Sequence, residues 1–127
     1  AAGAAAAGAG GGDGAIAGYM AERYIADSEM FEKQIMQKER VGLIYVYSAI
    51  DAPSRELLPL MQEIEKSFDG RVKLNVLDLY KGKRLCDRLS CDVEPMTIFY
   101  TRDGEVVEMS TECARPQVEA KLRTLVA

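Results

Sequence analysis

The chain has 127 residues, of which 48% are hydrophobic, and this composition fits one globular domain with a sizeable core. The formal net charge of −4 and the pI near 4.9 argue against nucleic acid or an anionic membrane as the main partner. No apolar run approaches the roughly 18 residues that would span a bilayer, so membrane insertion is not expected. The chain contains no histidine, which excludes histidine-based catalysis and most zinc and haem sites, and we expect neither a metal nor a cofactor.

The first 18 residues consist almost entirely of alanine and glycine. Such a segment offers too little large apolar surface to offset the entropy lost on ordering, so residues 1–18 are predicted to be a flexible arm. The folded domain is therefore expected to occupy residues 19–127.

The folded region begins with residues 19–26, which we predict as a first strand, although residues 20–22 suit a helix equally well. Asp27 offers an N-cap for a short amphipathic helix that carries Phe31. Residues 43–47 follow as five consecutive apolar residues. Such a run predicts a central strand that is buried on both faces.

After the turn that follows this strand, apolar residues recur at helical spacing and predict a second helix. The remaining elements are predicted as a strand over residues 72–78, a short helix opening at residues 81–83, a strand over residues 97–100, a hairpin turn at Asp103 and Gly104, a strand over residues 105–109, and a helix after Pro116. The order predicts an α/β fold with a mixed central sheet of four to five strands, flanked by helices on both faces.

The strand, turn and helix around residues 43–61 resemble the core unit of the thioredoxin family. The family's redox motif W-C-G-P-C-K lies, position for position, over Ile50, Asp51, Ala52, Pro53, Ser54 and Arg55. The loop proline, Pro53, and the helix proline, Pro59, are both retained, but Asp51 and Ser54 stand in place of the two cysteines. The resemblance implies a thioredoxin-like fold in which the redox motif is degenerate.

The residues at this turn favour a structural role. A carboxylate at Asp51 would cap the helix and interact with its dipole, worth about 0.3–1 kcal/mol. Ser54 cannot form a disulfide, and no histidine exists to activate it as a nucleophile. The resemblance also places Tyr45 where redox-active members keep a buried aspartate. We therefore expect no catalytic residue here.

A second loop that resembles the thioredoxin family comprises Glu94, Pro95, Met96 and Thr97. Thioredoxin-like proteins carry a cis-proline before this strand, facing the redox turn. Matching the Glu-Pro pair puts Pro95 at that place, whereas counting back from Gly104 puts Met96 there, and we favour Pro95. The resemblance implies that this loop could hold an extended peptide through backbone hydrogen bonds. The alternative, that Pro95 only shapes the loop, is equally open.

Three cysteines are an odd number, which favours a reducing, intracellular compartment. On a continuous helix Cys86 and Cys91 would point to different faces, so a disulfide between them is not expected. Basic neighbours make Cys86 a candidate reactive thiol. Cys113 lies in a polar connection and is expected to be exposed. We favour the simpler interpretation that all three are buried structural thiols, with a reactive Cys86 and an exposed Cys113 as the alternatives.

These observations favour a non-catalytic interaction module, an accessory subunit whose partners are other protein subunits of a large assembly. Residues 46–49 and 94–100 are similar to thioredoxin domains of ciliary and axonemal dynein-associated proteins, which implies an axonemal setting. One alternative is an accessory subunit of a mitochondrial respiratory complex. A second alternative is a thiol redox sensor, or a residual thiol–disulfide protein, that uses Cys86 or Cys113.

Overall fold

The computed structural model describes residues 18–127, so the arm predicted over residues 1–18 lies outside the described residues except for Gly18. The strand predicted over residues 19–26 was wrong. Residues 18–21 are helical, in keeping with the helix formers at positions 20–22. Only Tyr24 forms a bridge to the sheet, opposite Val76, and the Ile25 amide donates to the Val76 carbonyl at 2.9 Å.

Apart from the predicted first strand, the helices and strands follow the predicted order closely. They are α1 (Ser28–Phe31), which continues into a π-helical turn (Glu32–Met36), β1 (Gly42–Tyr47), α2 (Ala52–Glu56), α3 (Leu58–Ser67), β2 (Lys73–Asp78), α4 (Lys83–Leu89), β3 (Met96–Tyr100), β4 (Val106–Ser110) and α5 (Arg115–Val126). The Asp27 carboxylate caps α1 as predicted, accepting from the Met30 amide at 2.9 Å. Within residues 18–127, no helix combines the length and apolar character that crossing a bilayer requires.

The four strands form one mixed sheet in the order β2-β1-β3-β4, which confirms the predicted α/β fold. Strand β1 runs parallel to β2 and antiparallel to β3, and β3 and β4 form an antiparallel hairpin. Gly42 begins β1 where its neighbours approach closely: a Cβ at this position would collide with the Lys73 carbonyl oxygen and the Tyr100 hydroxyl. The central strand therefore needs glycine at this end.

Alternate residues of β1 face the two halves of the core, and residues 43–46 are fully buried, as predicted. Leu43 and Tyr45 pack on the side of α3 and α5, while Ile44 and Val46 pack on the side of α1 and α4. Apolar and polar residues alternate over residues 72–76, yet β2 is buried from Leu74 to Asp78. Asn75 is fully buried, and its side-chain amide donates to the Tyr100 hydroxyl at 2.6 Å.

A buried carboxylate attaches residues 18–25 to the rest of the fold. Glu65 of α3 accepts from the Arg23 Nε at 2.7 Å, from the Leu74 amide at 2.7 Å, and from the Tyr19 hydroxyl. The Arg23 guanidinium also stacks over the Tyr19 ring, 3.8 Å from its centroid. These contacts hold the first described residues beside β2 and α3, where they form one wall of the groove described below.

Candidate functional site

Three loops meet at one end of the sheet. Strands β1 and β2 are parallel, so the loops that follow them leave from the same end, and the register pairs Tyr47 with Asp78. Strand β3 enters at this end, where Met96 pairs with Val46. The degenerate motif over residues 50–55 and the Glu94–Pro95 segment therefore lie on the same edge of the molecule, as the resemblance implied.

Asp51 is the N-cap of α2, as predicted. Its extended backbone (φ −105°, ψ 105°) precedes the first helical residue, and its carboxylate accepts from the Ser54 amide at 3.0 Å. Pro53 occupies the first turn of α2, where a missing amide hydrogen leaves no helical bond unmade. The helix breaks at Leu57, and Pro59 lies in the first turn of α3.

Ser54 is fully buried, and its hydroxyl is occupied by backbone partners. It accepts from the Ser48 amide at 3.1 Å and lies 3.1 Å from the Asp51 carbonyl oxygen, to which it can donate. The Tyr45 hydroxyl donates to the Ser54 carbonyl at 2.6 Å. Burial raises the pKa of the Tyr45 phenol far above its ordinary value, so the hydroxyl keeps its proton and remains a donor. Neither motif position carries a thiol, so this pair of residues cannot exchange a disulfide.

The carboxylate of Asp78 connects the loops that follow β1 and β2. One of its oxygens accepts from the Ala49 amide at 3.2 Å. The other accepts from the Tyr80 and Lys81 amides at 2.9 and 3.0 Å. Backbone groups of both loops are therefore held by one buried side chain, which fixes the positions of the two loops relative to each other.

The Glu94–Pro95 peptide bond is cis, as predicted for Pro95 from the resemblance. Glu94, Pro95 and Met96 are partly exposed beside the degenerate motif. Thr97 is fully buried, and its hydroxyl lies 3.3 Å from the Ser110 carbonyl oxygen at the end of β4. Of the four residues predicted for this loop, Thr97 therefore has a side chain that supports the sheet and is inaccessible to a peptide.

Each of the three loops also exposes a large apolar side chain. Ile50 is 83% exposed, Tyr80 is 60% exposed, and Val93 is 41% exposed. We call Ile50, Tyr80 and Val93 the three-loop surface. Ile50 stands in place of the motif tryptophan, as the resemblance indicated. Tyr80 and Val93 were not predicted, because their only signal is an apolar residue in a polar loop next to a strand end.

A groove of about 900 Å³ opens beside the loop that follows β1. It lies between the first described residues and the helices α2 and α3. Its walls are mostly apolar. The lining residues include Met20, Tyr24, Tyr47, Leu58, Pro59 and Val76. Arg55, the last residue of the degenerate motif, also lines the groove, and its guanidinium donates to the Ala49 carbonyl at 2.7 Å. The groove could accept an apolar side chain or a short segment of a partner.

The cysteines correct two expectations. Cys113 is 7% exposed and packs in the core beside α5, so the expectation that it would be exposed was wrong. Cys86 and Cys91 both pack in the opposite half of the core, and the Cys91 amide donates to the Cys86 carbonyl at 2.9 Å. The expectation that they would point to different faces failed because α4 ends at Leu89, and Ser90 adopts a left-handed conformation (φ 63°) that turns the chain back.

All three thiols are buried, as the favoured interpretation of the sequence predicted, and burial is the main cause that raises their pKa values. The pKa of Cys86 rises to about 12, with the neighbouring Cys91 as the next cause, and the pKa of Cys113 rises to about 11. The pKa of Cys91 is also raised. Over residues 18–127, no three cysteine, aspartate or glutamate side chains come together in the way that metal ligands do.

Comparison with known proteins agrees with this architecture. The sequence profile of the family "Thioredoxin" matches residues 23–124. A thioredoxin of Acetoanaerobium sticklandii is 26% identical over 102 residues, which cover 79% of this chain and 96% of that protein.

The X-ray structure of Fasciola hepatica thioredoxin superposes with a TM-score of 0.73 at 17% identity, covering 81% of this chain and 98% of the other. A chain from a structural study of thiol resolution in yeast mitochondrial 1-Cys peroxiredoxin superposes with a TM-score of 0.72 at 15% identity, covering 84% and 98%. At such identities these structures support the fold alone. Since the family profile covers most of the chain, this protein belongs to the thioredoxin family.

Proposed function

We propose that this chain is a non-catalytic interaction module, an accessory subunit that binds other protein subunits of a larger assembly. The observation that carries the proposal is the use made of the two degenerate motif positions. Asp51 caps α2, and the buried hydroxyl of Ser54 is bonded to the backbone of the same loop. Both side chains therefore stabilise the loop and leave no thiol there for exchange.

The docking site that we propose is the three-loop surface with the adjoining groove. Apolar side chains exposed on neighbouring loops, next to an apolar groove, are typical of surfaces that bind another protein. Asp78 holds two of the loops in fixed positions, so little conformational entropy would be lost on binding. The net charge of −4 gives no electrostatic support to a nucleic-acid partner.

The setting that we propose first is a ciliary or axonemal assembly, on the basis of the resemblance of residues 46–49 and 94–100. An accessory position in a mitochondrial respiratory complex is the alternative setting. Immunogold labelling of the cells that make the protein separates the two, since label over axonemes supports the first and label over mitochondrial inner membranes supports the second.

Disulfide reduction tests the non-catalytic part of the proposal. The native chain is expected not to accelerate the reduction of insulin by dithiothreitol at any pH. The matched variant carries Asp51→Cys and Ser54→Cys, which restore both motif thiols while keeping Ala52 and Pro53. Formation of a disulfide by this variant, in conditions where the native loop forms none, shows that the scaffold can present the thiols. Turnover of insulin by the native chain would overturn the proposal.

Docking is tested with two exposed positions. Ile50→Glu puts a charge on the three-loop surface, and Val107→Glu puts the same charge at a half-exposed position of the edge strand β4. In native extracts, cross-linked partners are expected with the unmodified chain and with Val107→Glu, and are expected to be lost with Ile50→Glu. Elution of the unmodified chain as a free monomer, or full retention of partners by Ile50→Glu, would contradict the proposed docking site.

A thiol-based function is the second candidate, and two observations favour it. The relative described above is a thioredoxin, and Cys86 and Cys91 are joined by a backbone hydrogen bond within the same half of the core. Native-state alkylation separates the candidates. A pKa of Cys113 raised to about 11 implies roughly 100-fold less thiolate at pH 7 than an ordinary thiol has, so slow alkylation that accelerates with pH is expected. Fast alkylation of any cysteine at pH 7 would favour the thiol function.

A further inference from the structure

The end of α4 brings together two cysteines, Cys86 and Cys91, that would lie on different faces of an uninterrupted helix. Ser90 leaves the helix in the left-handed conformation, and the next amide, that of Cys91, donates back to the Cys86 carbonyl at 2.9 Å. A hydrogen bond between these positions is typical of a helix end at which the two side chains also come into contact. Both residues are 1% exposed and belong to the same half of the core.

This hydrogen bond also limits the distance between the two α-carbons. An α-carbon lies about 2.4 Å from its own carbonyl oxygen and about 1.5 Å from its own amide nitrogen. With 2.9 Å between the Cys91 nitrogen and the Cys86 oxygen, the α-carbons can be at most about 6.8 Å apart. Disulfides form at α-carbon separations of about 4.4–6.8 Å, so the separation of these two α-carbons does not exceed the span of a disulfide.

We infer that Cys86 and Cys91 are a redox modification site, which closes into an intramolecular disulfide when the protein meets hydrogen peroxide. This inference does not rest on the proposed docking function. The degenerate motif takes no part in this oxidation, because Asp51 and Ser54 carry no thiol. The motif also lies in the loop after β1 and in α2, outside the turn that ends α4.

Hydrogen peroxide is the oxidant that converts the two thiols into a disulfide. The Cys91 thiolate attacks one peroxide oxygen, the O–O bond breaks, and a sulfenic acid forms on Cys91, while the hydroxide that leaves takes the proton released by the Cys91 thiol and becomes water. The Cys86 thiolate then attacks the Cys91 sulfur, so that an S–S bond forms and the S–O bond breaks. The second hydroxide takes the proton released by the Cys86 thiol and becomes the second water. Two thiols lose two hydrogens in total, and one peroxide is reduced to two waters.

Either cysteine can be oxidised first, because the disulfide and the two waters that result are the same. Burial is the main cause that raises the pKa of both thiols, to about 12 for Cys86. Oxidation is therefore expected to be slow and to accelerate with pH. Access does not require global unfolding, because the flanking residues Ser90 and Asp92 are exposed and helix ends open locally.

Tryptic digestion gives a direct readout, since cleavage after Arg84, Arg88 and Arg102 puts the two cysteines in separate peptides, residues 85–88 and 89–102. After the full native chain is treated with peroxide at about pH 8.5 and remaining thiols are blocked, these two peptides are expected to be joined, with the loss of two hydrogens. Dithiothreitol should separate them.

Three single variants complete the test. Cys86→Ser and Cys91→Ser are each expected to abolish the joined peptides, whereas Cys113→Ser is expected to leave them unchanged. Circular dichroism identifies a variant that fails to fold, and Cys86→Ala or Cys91→Ala then replaces it. Three outcomes would overturn the inference. One is sulfinic acid at one cysteine while the other is still reduced, and another is a link that involves Cys113. The third is no link in the native chain under conditions that join the cysteines of the unfolded chain.

Discussion

At the scale of single residues, the side chains at the two degenerate motif positions bond to the backbone of their own turn. The position of the first cysteine needs a group that suits a helix N-terminus, and the Asp51 carboxylate meets this need by accepting from the Ser54 amide. The second position is buried, and the Ser54 hydroxyl accepts from the Ser48 amide there. Tyr45 then donates to the Ser54 carbonyl, so the three side chains stabilise one turn.

The first prediction concerns the cap. Asp51→Ala is expected to lower the free energy of unfolding by about 1 kcal/mol, because the Ser54 amide loses its acceptor and the helix loses a favourable charge. Asp51→Asn is the matched control, because its side-chain oxygen can still accept from that amide. Urea denaturation followed by circular dichroism measures both. Equal losses for alanine and asparagine would show that the carboxylate acts through charge and not as a cap.

At the scale of secondary-structure elements, the first described residues depend on contacts from distant parts of the chain. Residues 18–21 are helical, and the next few residues run beside β2, although the sequence of this stretch favours no single element. What holds them is Glu65 on α3, which binds Arg23 and the Leu74 amide together. One side chain therefore connects this segment, a helix and a strand.

The second prediction tests this connection. Glu65→Ala is expected to lower the free energy of unfolding by about 3 kcal/mol, because it leaves the buried Leu74 amide and the Arg23 guanidinium without their acceptor. Glu63→Ala is the matched control on the same helix, since its contact with Arg115 is exposed and should contribute less than about 1 kcal/mol. Similar losses in the two variants, measured by urea denaturation, would contradict this role for Glu65.

At the scale of the whole molecule, one sheet separates two layers of core. Leu43 faces the layer that contains α3 and α5, and its neighbour Ile44 faces the layer that contains α1 and α4. Both residues belong to the central strand, which pairs with β2 and β3. Loss of packing in either layer therefore disturbs the strand that both layers share.

The third prediction follows from this shared strand. Leu43→Ala and Ile44→Ala should each lower the free energy of unfolding by about 2–5 kcal/mol, because each leaves a cavity in a fully buried layer. Each variant is expected to unfold in a single transition that has the same midpoint by circular dichroism and by tyrosine fluorescence. Separate midpoints for the two probes would mean that the layers unfold independently.

Local patterns in the sequence were sufficient for the elements whose residues decide their own conformation. The apolar run of β1, the cap at Asp51 and the hairpin turn near Gly104 depend on neighbours within a few residues, and the structure confirms them. The resemblance placed Pro95 correctly because the Glu-Pro pair stands at a fixed distance from the strand that it precedes.

Only the tertiary structure decided the features that depend on distant residues. The path of residues 18–25 depends on Glu65, and the burial of Asn75 depends on Tyr100 across the sheet. The backbone hydrogen bond between Cys91 and Cys86 depends on where α4 ends, and no glycine or asparagine in the sequence marks that end. The three-loop surface exists because parallel and antiparallel pairing brings three separate strand ends to one edge, and pairing is a property of the whole chain.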